Sequence, residues 1–258
     1  MIPIFTFVTD SDAYAQMRQS FEEAGFTSER ASFTELTGTG RTDEPEPYST
    51  ITRLIAELSE PFFILCHQDL RLDQGHGIDD LLRIVGDLEA RDGRWAVAGN
   101  AGGSRVLRIV RSLTDPHGGA SADSFPAPVH SLDENFLLIR TGTGIHCSPE
   151  LRGFHLYGTD ICLNALEEGC QPYVVDFRVR HLSRGTRDEE YARARDRFVA
   201  HWSPRFAACY VRTTIEVLLL SRLGFLRSSL GSEAARRFVK ARGAARVPAG
   251  ALLAPRRR

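Results

Sequence analysis

Cysteine is scarce and shows no pairing pattern: the five residues, at 66, 147, 162, 170 and 209, form no CxxC. That spacing suggests neither a disulfide framework nor a zinc knuckle, and buried small hydrophobes are the expectation. Long apolar runs are missing too, since stretches such as 62–66 and 217–220 fall far short of the roughly 20 residues that cross a bilayer. The start, Met1-Ile2-Pro3-Ile4-Phe5, has no basic n-region and no small-residue cleavage site, so it reads as a first strand and a cytoplasmic protein is expected. Gly38 and Gly40 lack the strand-to-helix context of a GxGxxG or a GKS/T loop, which rejects a dinucleotide-binding or P-loop reading. No internal repeat is visible, and low complexity and disorder are excluded by the ordinary composition.

What is present is a 258-residue chain, 42% hydrophobic and 25% charged, long enough for one large domain, or one domain with a helical appendage, around a sizeable core. The near-zero net charge conceals a basic end. From Glu233 onward, Arg236, Arg237, Lys240, Arg242, Arg246 and Arg256 to Arg258 face that single acid.

The first half alternates strand-like and helix-like segments. Residues 2–9 are β-branched and aromatic, 13–24 are amphipathic and stop at Gly25, 31–36 read as a second strand and 48–58 have helical spacing. Residues 62–66 are a fully apolar strand, 78–88 an amphipathic helix and 95–98 a short strand. This spacing predicts a mostly parallel, α/β sheet covered on both faces. After Asn100 the chain is rich in glycine and proline up to a strand at 135–140. Then follow a helix near 159–168, a strand from 172 to 179, and helices over 187–202, 205–223 and 233–242. The last two form a C-terminal helical extension to a main domain of residues 1–200. Val211, Ile215, Leu218, Leu219 and Leu223 give the first of them an apolar face beside arginines. That face suits either packing on the main domain or peripheral contact with anionic lipid at the inner membrane face. The basic tail has no interleaved aromatics and no recognised binding module, so nucleic acid is not an expected partner.

In open α/β sheets ligands sit beyond the carboxyl ends of the strands. Strand 62–66 runs there into His67-Gln68-Asp69, where a carboxylate can hold a hard divalent cation or simply cap a turn. Two later segments add to it: residues 153–163, GFHLYGTDICL, and Val174-Val175-Asp176 with His181-Leu182-Ser183-Arg184-Gly185. Taken together, these resemble the GT-A glycosyltransferases of the family-2-like type. There a strand ending in an H-x-D version of the DxD motif precedes an FHxYxxD segment and a terminal HxSxG. The likeness runs over residues 1–185.

The resemblance implies a GT-A-like (Rossmann-like) fold and a metal-dependent, inverting transfer of a sugar from a nucleotide-sugar donor, UDP- or GDP-type, to a hydroxyl of a saccharide or lipid-linked acceptor. It places the metal- and diphosphate-binding carboxylate on Asp69, with His67 where the first Asp of the motif stands. It puts the acceptor-activating base on Asp160 and a metal-completing histidine on His181, with Mn2+ or Mg2+ as cofactor. Gly158 stands where some relatives carry another acid. Residue types agree with that chemistry, which needs a general base on one side of the anomeric carbon and charge stabilisation on the other. Other residues admit two readings. Asp160 also suits the first turn of a helix. Thr9 and Asp10 end the first strand where a base or ribose would lie, or cap the next helix. Asp133, beside Glu134, and His155, in alternation with Phe154 and Leu156, face the acceptor or sugar, or are solvated and packed. The Ser183-Arg184-Gly185 loop either covers phosphates or is a solvated turn. Outside this class stand a GT-A-like nucleotidyltransferase, which would need a basic phosphate loop that residues 9–18 lack, and a non-catalytic scaffold.

Overall fold

The computed structural model describes residues 1–37, 46–73, 75–114, 124–182 and 188–224. The 183–185 loop, most of the 37–47 loop and the basic helix and tail beyond 224 lie outside them. In chain order the elements begin with β1 (Ile2–Val8), α1 (Ser11–Glu23), β2 (Ala31–Thr37), α2 (Pro47–Glu57), β3 (Phe62–Cys66), β4 (Leu70–Leu72) and α3 (Ile78–Arg91). The middle contributes short strands: β5 (Val97–Gly99), β6 (Ala101–Gly103), β7 (Ile109–Arg111), β8 (Leu113–Thr114), β9 (Ala127–Pro128), β10 (Ser131–Leu132) and the longer β11 (Phe136–Arg140). The chain continues through α4 (Tyr157–Glu167), β12 (Tyr173–Val174), β13 (Val179–His181), α5 (Glu189–Trp202), a 3-10 turn (Ser203–Arg205), β14 (Cys209–Arg212) and β15 (Val217–Leu220).

Seven strands form the central sheet in the order β2-β1-β3-β11-β5-β12-β9. Strands β1, β2, β3, β5 and β12 run one way, and β11 and β9 run against them. The fold is the expected α/β class, a mostly parallel mixed sheet flanked by helices. Strict alternation along the strands divides the core in two. Phe5, Phe63 and Leu65 face one side, covered by α2, α4 and α5 through Ile51, Ile161 and Phe198. Ile4, Ile64 and Cys66 face the other, covered by α1 and α3 through Met17, Phe21, Leu81 and Leu88. Each such side chain, wholly buried, contributes about 1.5–3 kcal/mol of transfer free energy. All five cysteines are free and buried in these two cores.

The C-terminal region departs from expectation. Residues 205–223 form no helix. Strands β14 and β15 pair antiparallel in a hairpin, with Val211 opposite Leu218. The reason lies in the sequence itself: Val211, Thr213, Thr214, Ile215 and Val217 are β-branched, which favours a pleated strand over a helix. The turn is stabilised by the Thr213 hydroxyl oxygen, which accepts the N–H groups of Ile215 and Glu216. Of the supposed lipid-facing row, Val211, Leu218 and Leu219 are buried, Ile215 is half-buried and Leu223 is exposed, and Val211 and Leu218 join the first core. The membrane-facing helix over this stretch is therefore withdrawn. The hairpin lies close on β6, where a Cβ on Gly103 would fall 1.8 Å from the Arg212 carbonyl oxygen. Among the described residues no helix is long and apolar enough to cross a membrane.

Candidate functional site

Chain topology decides where the site lies. From β1 the chain goes to β2 on one side and to β3 on the other, so the crevice beyond the carboxyl ends of β1 and β3 is a topological switch point. Gln68 ties the two strand ends together. Its Oε1 accepts the N–H of Thr9 (2.8 Å) and of Asp10 (3.0 Å), and its Nε2 donates to Thr9 Oγ1 (2.9 Å). The Asp10 carboxylate is the cap of α1 and accepts from Asp12 N and Ala13 N, each at 3.0 Å.

Strand pairing brings in His181. β13 lies antiparallel to β4 with His181 opposite Leu70, and Leu182 N–H donates to the Asp69 carbonyl at 3.2 Å. His181 Nε2 consequently stands 3.4 Å from Asp69 Oδ1, and His67 Nδ1 stands 4.0 Å from the same oxygen. One donor atom from each of the three lies within 4.8 Å of the others. The His67 side chain is 39% exposed, that of Asp69 24% and that of His181 14%, so the cluster is partly sheltered yet open to a ligand. Burial, and then the neighbouring His181, hold the His67 imidazole below its ordinary range, while Asp69 and Asp133 pull it back. Two nitrogens and a carboxylate oxygen form a mixed donor set that fits a transition ion better than Mg2+, which takes oxygen ligands.

On the other side of β3, His67 N–H donates to the Asn135 carbonyl (2.9 Å), which sets the Asp133-Glu134 pair beside His67. Asp133 Oδ1 accepts from Asn135 N (3.1 Å) and Nδ2 (2.8 Å), and Oδ2 accepts from the Thr214 hydroxyl (2.5 Å). The Glu134 carboxyl accepts Gly158 N–H at the start of α4 (3.2 Å). Burial first, and the Asp133 charge second, push it up to about 8. The His155 ring packs edge-on to Tyr191 at 5.5 Å, and the Tyr191 hydroxyl donates to Glu216 Oε1 (2.8 Å). The hairpin turn thus reaches the cleft twice, through Thr214 to Asp133 and through Glu216 and Tyr191 to His155.

Asp160 is not brought to this cleft. It is 0% exposed, and both oxygens are engaged: Ser148 N and Oγ donate at 2.7 Å each, Trp202 Nε1 at 2.8 Å and Asn164 Nδ2 at 3.2 Å. Burial lifts its acid up to about 6 against those hydrogen bonds. A base must touch the hydroxyl it deprotonates, and a carboxylate sealed between α4, α5 and the Ser148 loop cannot. The general-base reading of Asp160 is corrected to a structural one.

No family model matches the sequence. A curated relative does: the chain is 33% identical over 204 residues to ATP synthase subunits region ORF 6 of Fuscovulum blasticum, a match over 76% of this chain and 80% of the relative. The chain belongs to the ORF 6 family. Among solved structures, this ORF 6 family member is similar to S. aureus TarS 1–349, with TM-score 0.47 and 10% identity over 77% of this chain and 64% of that one. It is also similar to GalNAc-T7 solved with UDP, GalNAc and Mn2+, with TM-score 0.43 and 9% identity over 79% and 49%.

Of the residues singled out in the sequence, His67, Asp69 and His181 converge, Thr9 and Asp10 adjoin them through Gln68, and Asp133 and His155 lie near enough to His67 to bear on its charge. Sequence reasoning missed Thr214, Glu216 and Tyr191. The β-branched residues Val211, Thr213, Thr214, Ile215 and Val217 were the sequence signal for the hairpin that carries the first two. No local signal marks Trp202 as the partner of Asp160, since the two meet only by helix packing.

Proposed function

We propose that the chain is a GT-A-type, metal-dependent glycosyltransferase that moves a sugar, with inversion, from a UDP- or GDP-type nucleotide sugar to an acceptor hydroxyl. The observation that carries this reading is the convergence of His67, Asp69 and His181 at the switch point of the sheet, although β4 and β13 are more than a hundred residues apart. Those three residues would hold the cation, and a bound cation supplies charge to stabilise the diphosphate as it leaves. Gln68 keeps the ends of β1 and β3 at fixed spacing beneath the donor, and Thr9 with Asp10 lines its nucleoside side. With Asp160 sealed in the core, the candidate base passes to Asp133. The Thr214 hydroxyl and Asn135 hold its carboxylate in one orientation, as a positioned base requires. His155 stands on the acceptor or sugar side, steadied by Tyr191.

Calorimetry tests the reading. UDP and GDP are titrated into the protein with and without Mn2+, and binding of one of them only when the cation is present is the expected result. A protein that binds neither under either condition is not a nucleotide-sugar enzyme of this kind. Asp133→Asn should keep that binding and lose turnover by about 10² to 10⁴-fold once an acceptor is in hand, and normal turnover would remove Asp133 as base.

A further inference from the structure

Phe154 is 48% exposed at the rim of the same cleft, and its backbone is held on both sides. Gly153 N–H donates to Glu46 Oε1 at 2.8 Å, and the His155 carbonyl accepts the Tyr48 hydroxyl at 2.8 Å. Gly153 takes a φ of +102° and Leu156 one of +67°, conformations that an L residue such as Leu adopts only at a cost. A large apolar ring left open to water on such a fastened segment is a built feature of the surface and differs from an apolar side chain on a fraying loop.

Its neighbour fixes its place. The Phe154 ring stands perpendicular to Phe7, with centroids 5.3 Å apart. In the parallel β1–β3 ladder Phe5 pairs with Leu65, and both face the first core. Phe7 lies two residues further along β1, toward the strand end that Gln68 ties to Thr9 and Asp10. The open ring therefore stands one aromatic contact from the carboxyl half of β1, the strand next to the one that runs into His67 and Asp69. His155 follows it in sequence, and both His155 and Asp133 lie near enough to His67 to act on its charge.

We propose that Phe154 is the platform on which the sugar ring of the donor stacks, an inference that rests on the nucleotide-sugar reading above. A pyranose presents an apolar C–H face and a belt of hydroxyls, so it is held by an aromatic plane flanked by carboxylate and imidazole. That combination is what Phe154, Asp133 and His155 supply. The diphosphate carries the ribose at one end and the sugar at the other. Thr9 and Asp10 take the nucleoside end in the reading above, which leaves the sugar end to Phe154.

The test is calorimetry in Mn2+ with UDP, GDP, UDP-glucose, UDP-N-acetylglucosamine and GDP-mannose on the wild type, Phe154→Ala, Phe154→Leu and Phe154→Trp. Phe154→Ala and Phe154→Leu should bind the bare nucleoside diphosphate within about twofold of wild type. They should lose roughly tenfold for the sugar conjugate that wild type holds most tightly, the scale of a lost ring-stacking contact. Phe154→Trp should restore it. Conjugate affinity unchanged in Phe154→Ala, or an equal loss for the bare diphosphate, overturns the sugar platform while the donor reading stands. A wild type that binds no nucleoside diphosphate removes the donor reading, and the platform with it.

Discussion

Two aspartates of this protein lie among nitrogen-bearing side chains, and they serve opposite ends. Asp160 is fully buried and accepts hydrogen bonds from Ser148, Asn164 and Trp202, so its carboxylate joins α4 to α5 and to the loop before it. Asp69 is partly exposed and faces two imidazoles at the mouth of a crevice. An enclosed carboxylate ringed by donors contributes cohesion, whereas one that stands in a partly open cluster with two imidazoles has ligand atoms to offer. The sequence neighbourhoods of the two are equally suggestive of catalysis, and only the surroundings distinguish them.

The largest effect that could break this contrast is on stability. Asp160→Ala leaves the Trp202 indole N–H and the Ser148 donors buried without partners, at about 1–3 kcal/mol each, and a total loss of about 3–5 kcal/mol is expected in denaturant unfolding. A loss below about 1 kcal/mol would show that Asp160 holds nothing together. Next in size is Asp69→Ala, which should weaken Mn2+ binding at least about 100-fold, some 2.7 kcal/mol, and cost no more than about 1 kcal/mol in unfolding, as for a partly exposed ion pair. Equal Mn2+ affinity in calorimetry would dissolve the cluster as a cation site. Trp202→Phe keeps an aromatic ring in the core and removes one hydrogen bond to a carboxylate, so about 1.5–3 kcal/mol should be lost. A neutral result there would move the Asp160 contribution onto Ser148.

The smallest effect sharpens the comparison through pH. The Glu134 carboxyl titrates near 8 in the folded protein, above its ordinary value of 4.5. A raised folded value means that the native state holds the proton longer. The stabilisation is therefore complete below about pH 4.5 and is lost as pH rises through 8. Thermal unfolding from pH 5 to 9 should show this decline, and Glu134→Gln, which cannot ionise, should flatten it. A variant with the same slope as wild type would place the proton elsewhere.

Local pattern carried most of the architecture. The helices Ser11–Glu23, Pro47–Glu57, Ile78–Arg91, Tyr157–Glu167 and Glu189–Trp202 lie within two or three residues of the segments that 3.6-residue spacing marks out, because each buries one face on the sheet. The apolar run Phe62–Cys66 announced a central strand for the same reason. The C-terminal hairpin was misread because its apolar residues also fit helical spacing, and the β-branched content of residues 211–217 was the stronger signal. Of the site, His67 and Asp69 were legible from their place after that strand, and His181 only through its motif.

The sequence by itself determined the alternation of strands and helices, the two-sided core and the polar strand end at His67-Gln68-Asp69, since these follow from periodicity and burial over ten to fifteen neighbouring residues. Tertiary structure alone decided which acids face water. Pairing of β13 with β4 brought His181 to Asp69, and packing of α4 against α5 turned Asp160 toward Trp202 and away from the crevice. A helix's periodicity marks its apolar face but not what an acid on that face will meet, because that depends on elements more than forty residues away in the chain.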